Sequence, residues 1–409
     1  MSFAWHGRLA HAPGNMSMNR RQFLTAAAAT ILSRYAFADD LPPDLKITRI
    51  QAFDLTTQRV KVVGKNARLD VHGSTSRDRL VLLTASDQTE GFANCHLEEK
   101  QLHSLLNKTP TDALKLMGKR NAAAYDLLGK ITSRPARKLL AQENPPAVDA
   151  SVRVYDGSIY FQDLLPDYAT SWESRFKHEI DEILSRGHRA VKVKIGRGNK
   201  WMSRDEGDAR DIAVLKLIRS HAGKDLAIAV DANNGYDLER TKRLIDSLPN
   251  YNFDFIEEMF PENIEQDLAL KEFLASRKLK TLVADGETQP DVTALKPFMT
   301  AKAIDLYQLD VNQVGPDGLL EEAGLCHPHG GKIAPHTWGT LVGFYTQLHV
   351  ARAIPNFYSG EQDPLASDAI IADGYTIKDG RCSVPDSPGF GLNLNRTSKH
   401  LKMLFDLHA

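Results

Sequence analysis

Three carboxylates, Asp231, Glu257 and Glu287, recur 26 and 30 residues apart, each ending a short apolar run: "AVDANNG", "FIEEMF" and "VADGET". If those runs are neighbouring strands, three like charges converge, and their repulsion calls for a cation between them. An all-oxygen donor set suits Mg²⁺, with Mn²⁺ second, and does not suit zinc. Three protein oxygens leave about three octahedral positions of Mg²⁺ for substrate or water. Upstream, "AVKVKIG" places Lys192 and Lys194 two residues apart in a β-branched strand. Side chains alternate along a strand, so the two ammonium groups share one face. Lysine is seldom buried without a partner. Downstream, "YQLDVNQ" carries Asp310, "IAPHTW" carries His336 and "YSGE" carries Glu361. A lysine pair on one side of a metal and a histidine with an aspartate on the other is the layout for taking a proton α to a carboxylate. The metal would stabilise the enediolate. Lys192, the metal and an apolar wall would lower the Lys194 pKa, and Asp310 would fix the His336 tautomer and raise its basicity.

These residues need a frame that brings strand ends together. Short apolar strands alternate with amphipathic helices over Val152–Tyr160, Ala190–Ile195, Leu226–Asp231, Phe253–Glu258, Thr281–Ala284, Ile304–Asp310, Lys332–Pro335 and Phe357–Gly360. Strand–helix alternation means parallel strands, and eight of them predict a (β/α)8-type barrel. In such a barrel chemistry sits at the C-terminal ends of the strands. The polar residues fall at that position in seven consecutive units. A doubly wound open sheet is the rival, and the absence of G-x-G-x-x-G and Walker loops weighs against it.

The barrel is expected over 151–365. Before it, 46–150 reads as a small α+β domain. Alternating strands in "KITRIQAFDLTT" and "DRLVLLTASDQTEGFANC" flank a long mobile loop, Val63–Ser76. Helices are expected around Lys100–Leu106 and through "KRNAAAYDLLGKITSRPARKLL" until Pro135. The turn-rich segment 366–409 should fold back on this domain. The Val63–Ser76 loop would close over the barrel mouth, with His72 and Arg68 as candidate substrate contacts. Tyr155, Asn233 and Gln308 are candidates for lining the pocket.

At 409 residues the chain suits a large barrel plus a smaller domain, and a formal net charge of −1 gives no reason to expect a nucleic-acid groove or a polybasic membrane face. Cys95, Cys326 and Cys382 show no metal-ligand spacing and read as buried thiols. Residues 1–38 read as a twin-arginine export signal. Arg20-Arg21 precede an Ala-rich run to Leu32, and Ala36-Phe37-Ala38 ends it as a cleavage site. The run is about half the length needed to span a bilayer. The mature chain is expected to begin near Asp39, in the periplasm and without a membrane anchor.

From about residue 46 to its end the chain resembles the enolase superfamily, in the mandelate racemase-like subgroup of its mandelate racemase/muconate lactonizing family. "VKVKIG" matches the family's K-x-K strand, "VDANNG", "FIEE" and "DGE" its three metal-ligand strand ends, and "LDVNQVG" with "PHTW" its Asp/His dyad. "AAAYDLLGK" resembles its cap-domain helix and "VPDSPGFGL" its C-terminal turn. The resemblance implies a modified, (β/α)7β barrel with an N-terminal capping domain. It implies Mg²⁺ on Asp231, Glu257 and Glu287, with Lys194 as the base on one face and Lys192 beside it. His336 with Asp310 would act on the other face, and Glu361 would be the acid that meets a substrate carboxylate. It also implies a homo-oligomer. Met259 departs from the family's usual proline after the Glu-Glu pair. Strand six offers Asp310 and no lysine, which disfavours the subgroup with lysines on both faces, such as dipeptide epimerases and muconate cycloisomerases. The expected activity is dehydration of an acid sugar or related 2-hydroxyacid. Racemisation or epimerisation is the alternative, and an exported binding protein on the same frame is the third reading.

Overall fold

The structure, a computed structural model, describes residues 41–42, 44–141, 150–249 and 251–409. The twin-arginine segment and the expected cleavage site lie outside the described residues. Apolar alternation builds the first strands. From Leu55 to Val63 every second residue of β1 (Ile47–Val63) is buried. β1 pairs antiparallel with β2 (Gly73–Ala85), which pairs with β3 (Glu90–Asn94). Both strands run further than the sequence suggested. The connecting loop is therefore 64–72, shorter than Val63–Ser76, because Val63 and Gly73 are already paired. Four short helices follow: α1 (Glu99–His103), α2 (Pro110–Leu116), α3 (Ala122–Ile131) and α4 (Ala136–Leu140). Proline and Thr109, whose side chain accepts from the Asp112 amide, start α2, a helix that the apolar pattern alone does not reveal. The single helix expected from Lys119 to Pro135 begins only at Ala122, after a 3₁₀ turn at Gly118–Arg120.

Eight parallel strands then close a barrel: β4 (Ser151–Ile159), β5 (Ala190–Lys194), β6 (Ala227–Asp231), β7 (Phe255–Glu257), β8 (Leu282–Asp285), β9 (Leu306–Tyr307), β10 (Lys332–Ile333) and β11 (Gly360–Gln362). β11 pairs with β4, and a bridge from Ile333 to Phe357 joins the remaining seam. Seven helices make the crossovers: α5 (Trp172–Ser185), α6 (Arg204–Ala222), α7 (Leu238–Asp246), α8 (Ile264–Ser276), α9 (Lys296–Ala301), α10 (Val311–Cys326) and α11 (Leu341–Ala351). No helix follows β11, which makes the barrel a (β/α)7β form. The last three strands are shorter than, or shifted from, their sequence boundaries, and beyond β9 and β10 pairing resumes only as an isolated bridge between Asp310 and His336.

Alternation sorts the barrel strands into two layers. Val191, Val193, Ile228, Val230, Ile256 and Val283 face out, against Phe176, Ile180, Val214 and Ile218 of the helices. Ala190, Ala229, Ala284, Leu306 and Ala334 face in, with Tyr155 and Phe255 filling the barrel floor. The same alternation turns Lys192 and Lys194 inward.

The tail pairs twice with β1, through β12 (Leu365–Ala366) and, after β13 (Ile370–Ile371), β14 (Ile377–Lys378), β15 (Arg381–Ser383) and β16 (Asn393–Leu394), through β17 (Leu401–His408). β15 also pairs antiparallel with the start of β4. All three cysteines are free and buried. Among the described residues no helix is long and apolar enough to cross a membrane.

Candidate active site

Each candidate metal ligand, base and acid is delivered by the C-terminal end of a barrel strand or the loop after it. Asp231 and Glu257 end β6 and β7, and Glu287 follows β8 by two residues. One carboxylate oxygen from each lies within 4.8 Å of the others. Asp231 and Glu257 are fully buried. The Glu287 Oε2 atom is buried with no hydrogen-bond partner, 3.5 Å from His336 Nε2. Three convergent carboxylates with an unpaired inward oxygen fit a hard divalent cation, and Mg²⁺ is the ion whose ligand chemistry they match.

The lysines stand against this cluster. Lys192 Nζ donates to Glu257 Oε1 at 2.7 Å and contacts Glu361 Oε1 at 2.9 Å and Asp231 Oδ2 at 3.5 Å. Lys194 Nζ donates to Asp231 Oδ2. The expectation of a low Lys194 pKa presupposes a cation among the carboxylates. Burial, the largest influence, opposes its charge, but Asp231, Tyr160 and Glu287 together outweigh it and, with the carboxylates not neutralised by a cation, hold Lys194 above the usual lysine range. The ammonium groups here fill space between carboxylates that must otherwise repel. Asp231 is in turn held low: burial raises it, and the two lysines lower it further. Glu257 goes the other way, pushed up by burial and by Asp231.

His336 and Asp310 meet as expected. His336 Nδ1 lies 2.5 Å from Asp310 Oδ2, while Asp310 Oδ1 accepts the Asn312 and Gln313 amides and so caps α10. Nδ1 therefore carries the proton and Nε2 faces Glu287. Burial disfavours charge on His336, but Glu287, Asp310 and Glu361 outweigh it and raise the imidazole to about 10. Glu361 Oε2 accepts the Thr337 amide at 2.9 Å. Burial raises the Glu361 pKa, but Lys192 and His336 prevail and hold it below the usual carboxylate value. Room for its carboxylate comes from Gly157, where a Cβ would stand 2.6 Å from Glu361 Oε1.

The substrate candidates divide. Gln308 Nε2 donates to Glu257 Oε2 at 2.9 Å, so Gln308 orients a carboxylate of the triad. The Asn233 amide donates to Asp231 Oδ1 at 2.8 Å, and its side chain to Glu258 Oε2 at 3.1 Å. Tyr155 is buried below the lysines, with Lys192 Nζ 5.7 Å from its ring and its hydroxyl unpartnered. His72 comes down from the 64–72 loop onto Tyr160 and Trp338. Arg68 does not join: its side chain is exposed and its backbone turns on the Asn66 side chain. The sequence assigned no site role to Glu258, Tyr160 or Trp338. Glu258 is buried at φ 41°, and burial and Glu287 push its carboxyl to about 8. A second acid beside a ligand is the only signal it carried. Tyr160 and Trp338 sit one residue past a strand and two past His336, positions that mark a barrel mouth.

A family model described as "Enolase C-terminal domain-like" matches residues 175–398. The chain belongs to the enolase superfamily, within its mandelate racemase/muconate-lactonizing family, and its site is that of a Mg²⁺-dependent lyase or isomerase. It is 28% identical to arabinonate dehydratase of Saccharolobus solfataricus over 280 residues, 67% of this chain and 68% of that enzyme. It is 27% identical to D-galactarolactone cycloisomerase of Agrobacterium fabrum over 237 residues, 53% of this chain and 57% of that enzyme. Among solved structures, galacturonate dehydratase from Geobacillus sp., complexed with D-galacturonate and 5-keto-4-deoxy-D-galacturonate, superposes with a TM-score of 0.77 at 28% identity, covering 87% of this chain and 96% of that one.

Proposed function

We propose that this protein dehydrates an acid sugar, removing the proton α to the carboxylate and the β-hydroxyl as water to leave a 2-keto-3-deoxy acid. The observation that carries this is the placement of Lys194 and the His336–Asp310 dyad on different sides of one carboxylate triad. Asp231, Glu257 and Glu287 would hold Mg²⁺, which supplies positive charge against the charge that builds on the substrate carboxylate. Lys192, held by Glu361, binds and orients that carboxylate. Lys194, once it has left Asp231 and its ammonium has given up a proton to solvent, takes the proton from C2. His336, protonated at Nε2, gives its proton to the hydroxide leaving C3, and the enol then ketonises. Asp310 keeps Nδ1 protonated and the imidazole edge aimed. The dehydratases among its relatives support this reading, and the cycloisomerase among them supports the alternative, isomerisation by the same two bases.

The test is turnover of a sugar-acid library in Mg²⁺ with a keto-acid readout. Keto acid from at least one member, lost on chelation and restored by Mg²⁺, is expected. Epimerised acid without keto product would favour the isomerase reading, and activity indifferent to chelation would refute both. We also propose periplasmic export through residues 1–38 and a homo-oligomeric assembly. Intact mass of secreted protein beginning near Asp39 would support the first. A monomeric mass by light scattering would rule out the second.

A further inference from the structure

Three rings from three parts of the chain meet above the lysines. Tyr160 follows β4, Trp338 follows His336 by two residues, and His72 ends the 64–72 loop. Tyr160 and Trp338 stack with centroids 5.1 Å apart at 28°. His72 stands edge-on to Tyr160 at 4.8 Å and to Trp338 at 6.4 Å. Lys194 Nζ lies 5.3 Å from the Tyr160 centroid, so the wall begins beside the proposed base and ends beside the proposed acid.

The polar resources of this wall are specific. Trp338 Nε1 is buried with no hydrogen-bond partner, a donor left without an acceptor. His72 Nδ1 lies 3.0 Å from the Gly64 carbonyl oxygen, which can only accept, so Nδ1 carries the proton and Nε2 is an acceptor. Burial, with Lys194 and Arg59 near by, lowers the His72 pKa and keeps the ring neutral at pH 7. Among the described residues the cations recorded against the two stacked rings are Lys194 and Arg59. Lys194 serves the reacting end. Arg59, 5.1 Å from the Trp338 centroid, is spent: its Nε and Nη2 bind buried Asp363 at 2.7–3.1 Å and its Nη1 binds the Thr75 carbonyl at 3.0 Å. A second carboxylate pressed against this wall would lose its water and gain no partner charge. Hydroxyl groups and the C–H groups of a carbon chain or sugar ring would find a donor, an acceptor and apolar ring surface.

We infer that the Tyr160–Trp338–His72 wall selects monocarboxylic sugar acids with an uncharged hydroxylated tail and rejects the matched dicarboxylic acids. This deepens the dehydratase reading and rests on it for the identity of the reacting end. The test is equilibrium binding, which needs no turnover. Full-length Mg²⁺-loaded protein carrying Lys194→Ala is titrated, by tryptophan fluorescence and calorimetry, with aldonic and aldaric acids of matched configuration. The best monoacid is expected to bind at least roughly tenfold more tightly than its matched diacid. Adding Trp338→Ala, or His72→Ala should the first variant fold poorly, is expected to weaken the monoacid about tenfold and leave the diacid unchanged. Equal or tighter binding of diacids, an unaltered preference in both wall variants, or binding of neither class would overturn the inference. Because binding is read without chemistry, a monoacid preference in a protein that makes no keto acid would sink the proposed reaction and keep the wall.

Discussion

Asp310 does two things with one side chain. Oδ1 caps α10, and Oδ2 holds His336 Nδ1. Asparagine is an equally good cap but cannot accept in the same way from an imidazole that must also become cationic. Asp310→Asn should therefore leave thermal stability within about 1 kcal/mol while lowering kcat by about 10²–10⁴-fold. Steady-state kinetics beside a melting curve separate the two roles, and a large loss of stability would show that the cap had failed instead. At this scale the sequence was informative where chemistry forces a residue type. Metal ligands must be carboxylates, and a K-x-K strand in an apolar run has few other uses, so Lys192, Lys194, Asp231, Glu257, Glu287, Asp310 and His336 could be named. Tyr160 and Trp338 could not, because an aromatic near a strand end is more often core. The Lys194–Asp231 contact was not legible either, because the sequence shows that charges are near one another and not which of them touch.

Among the elements, α10 carries the clearest backbone constraint. Its span is broken at Gly315, at φ 60° and ψ −172°, just before Pro316. A Cβ there would stand 1.7 Å from the Lys119 carbonyl oxygen, in the 118–120 turn of the N-terminal part. Gly315→Ala should cost about 2–5 kcal/mol from strain and overlap together. It should also disturb the start of the helix that Asp310 caps. A denaturant midpoint shifted at constant m would show the first, and lost activity out of proportion to unfolding the second. Element types were legible because strand and helix periods differ. Boundaries were not. β9 and β10 have two residues each, and pairing resumes only at the Asp310–His336 bridge, an interruption that no local propensity marks.

The whole molecule is tied together by a buried histidine. His349, on α11, accepts the Arg137 amide of α4 at Nδ1 (3.1 Å) and donates from Nε2 to Tyr375 (2.7 Å), whose hydroxyl donates to the Phe390 carbonyl (2.6 Å). One ring thus joins the α-helical part of the N-terminal region, the barrel and the tail, a link no local pattern could show. Burial, with Arg352 and Arg137 near by, pulls its pKa down to about 3. The unfolded chain takes up that proton near pH 6.5 and the folded one does not, so stability falls as pH drops from about 6.5 toward 3, at up to about 1.4 kcal/mol per pH unit. His349→Leu should be less stable at pH 7 by about 1–3 kcal/mol, for the unpaired Arg137 amide, and should flatten that acid slope. Urea titrations across the range would read both effects. An unchanged slope would place the proton uptake elsewhere.

The central claim is that Lys194 and His336 work on opposite sides of a substrate held at one Mg²⁺ site. Its most direct measurement is α-proton exchange into D₂O, by NMR, on a sugar acid found to turn over, in wild type, Lys194→Ala and His336→Asn. The account predicts deuterium at the α-carbon or in the keto product with wild type and Mg²⁺, none after chelation, and none with Lys194→Ala. With His336→Asn it predicts retained exchange without keto acid, because the base remains and the acid is gone. Exchange at the wild-type rate in Lys194→Ala, or keto acid still formed at the wild-type rate in His336→Asn, would contradict it.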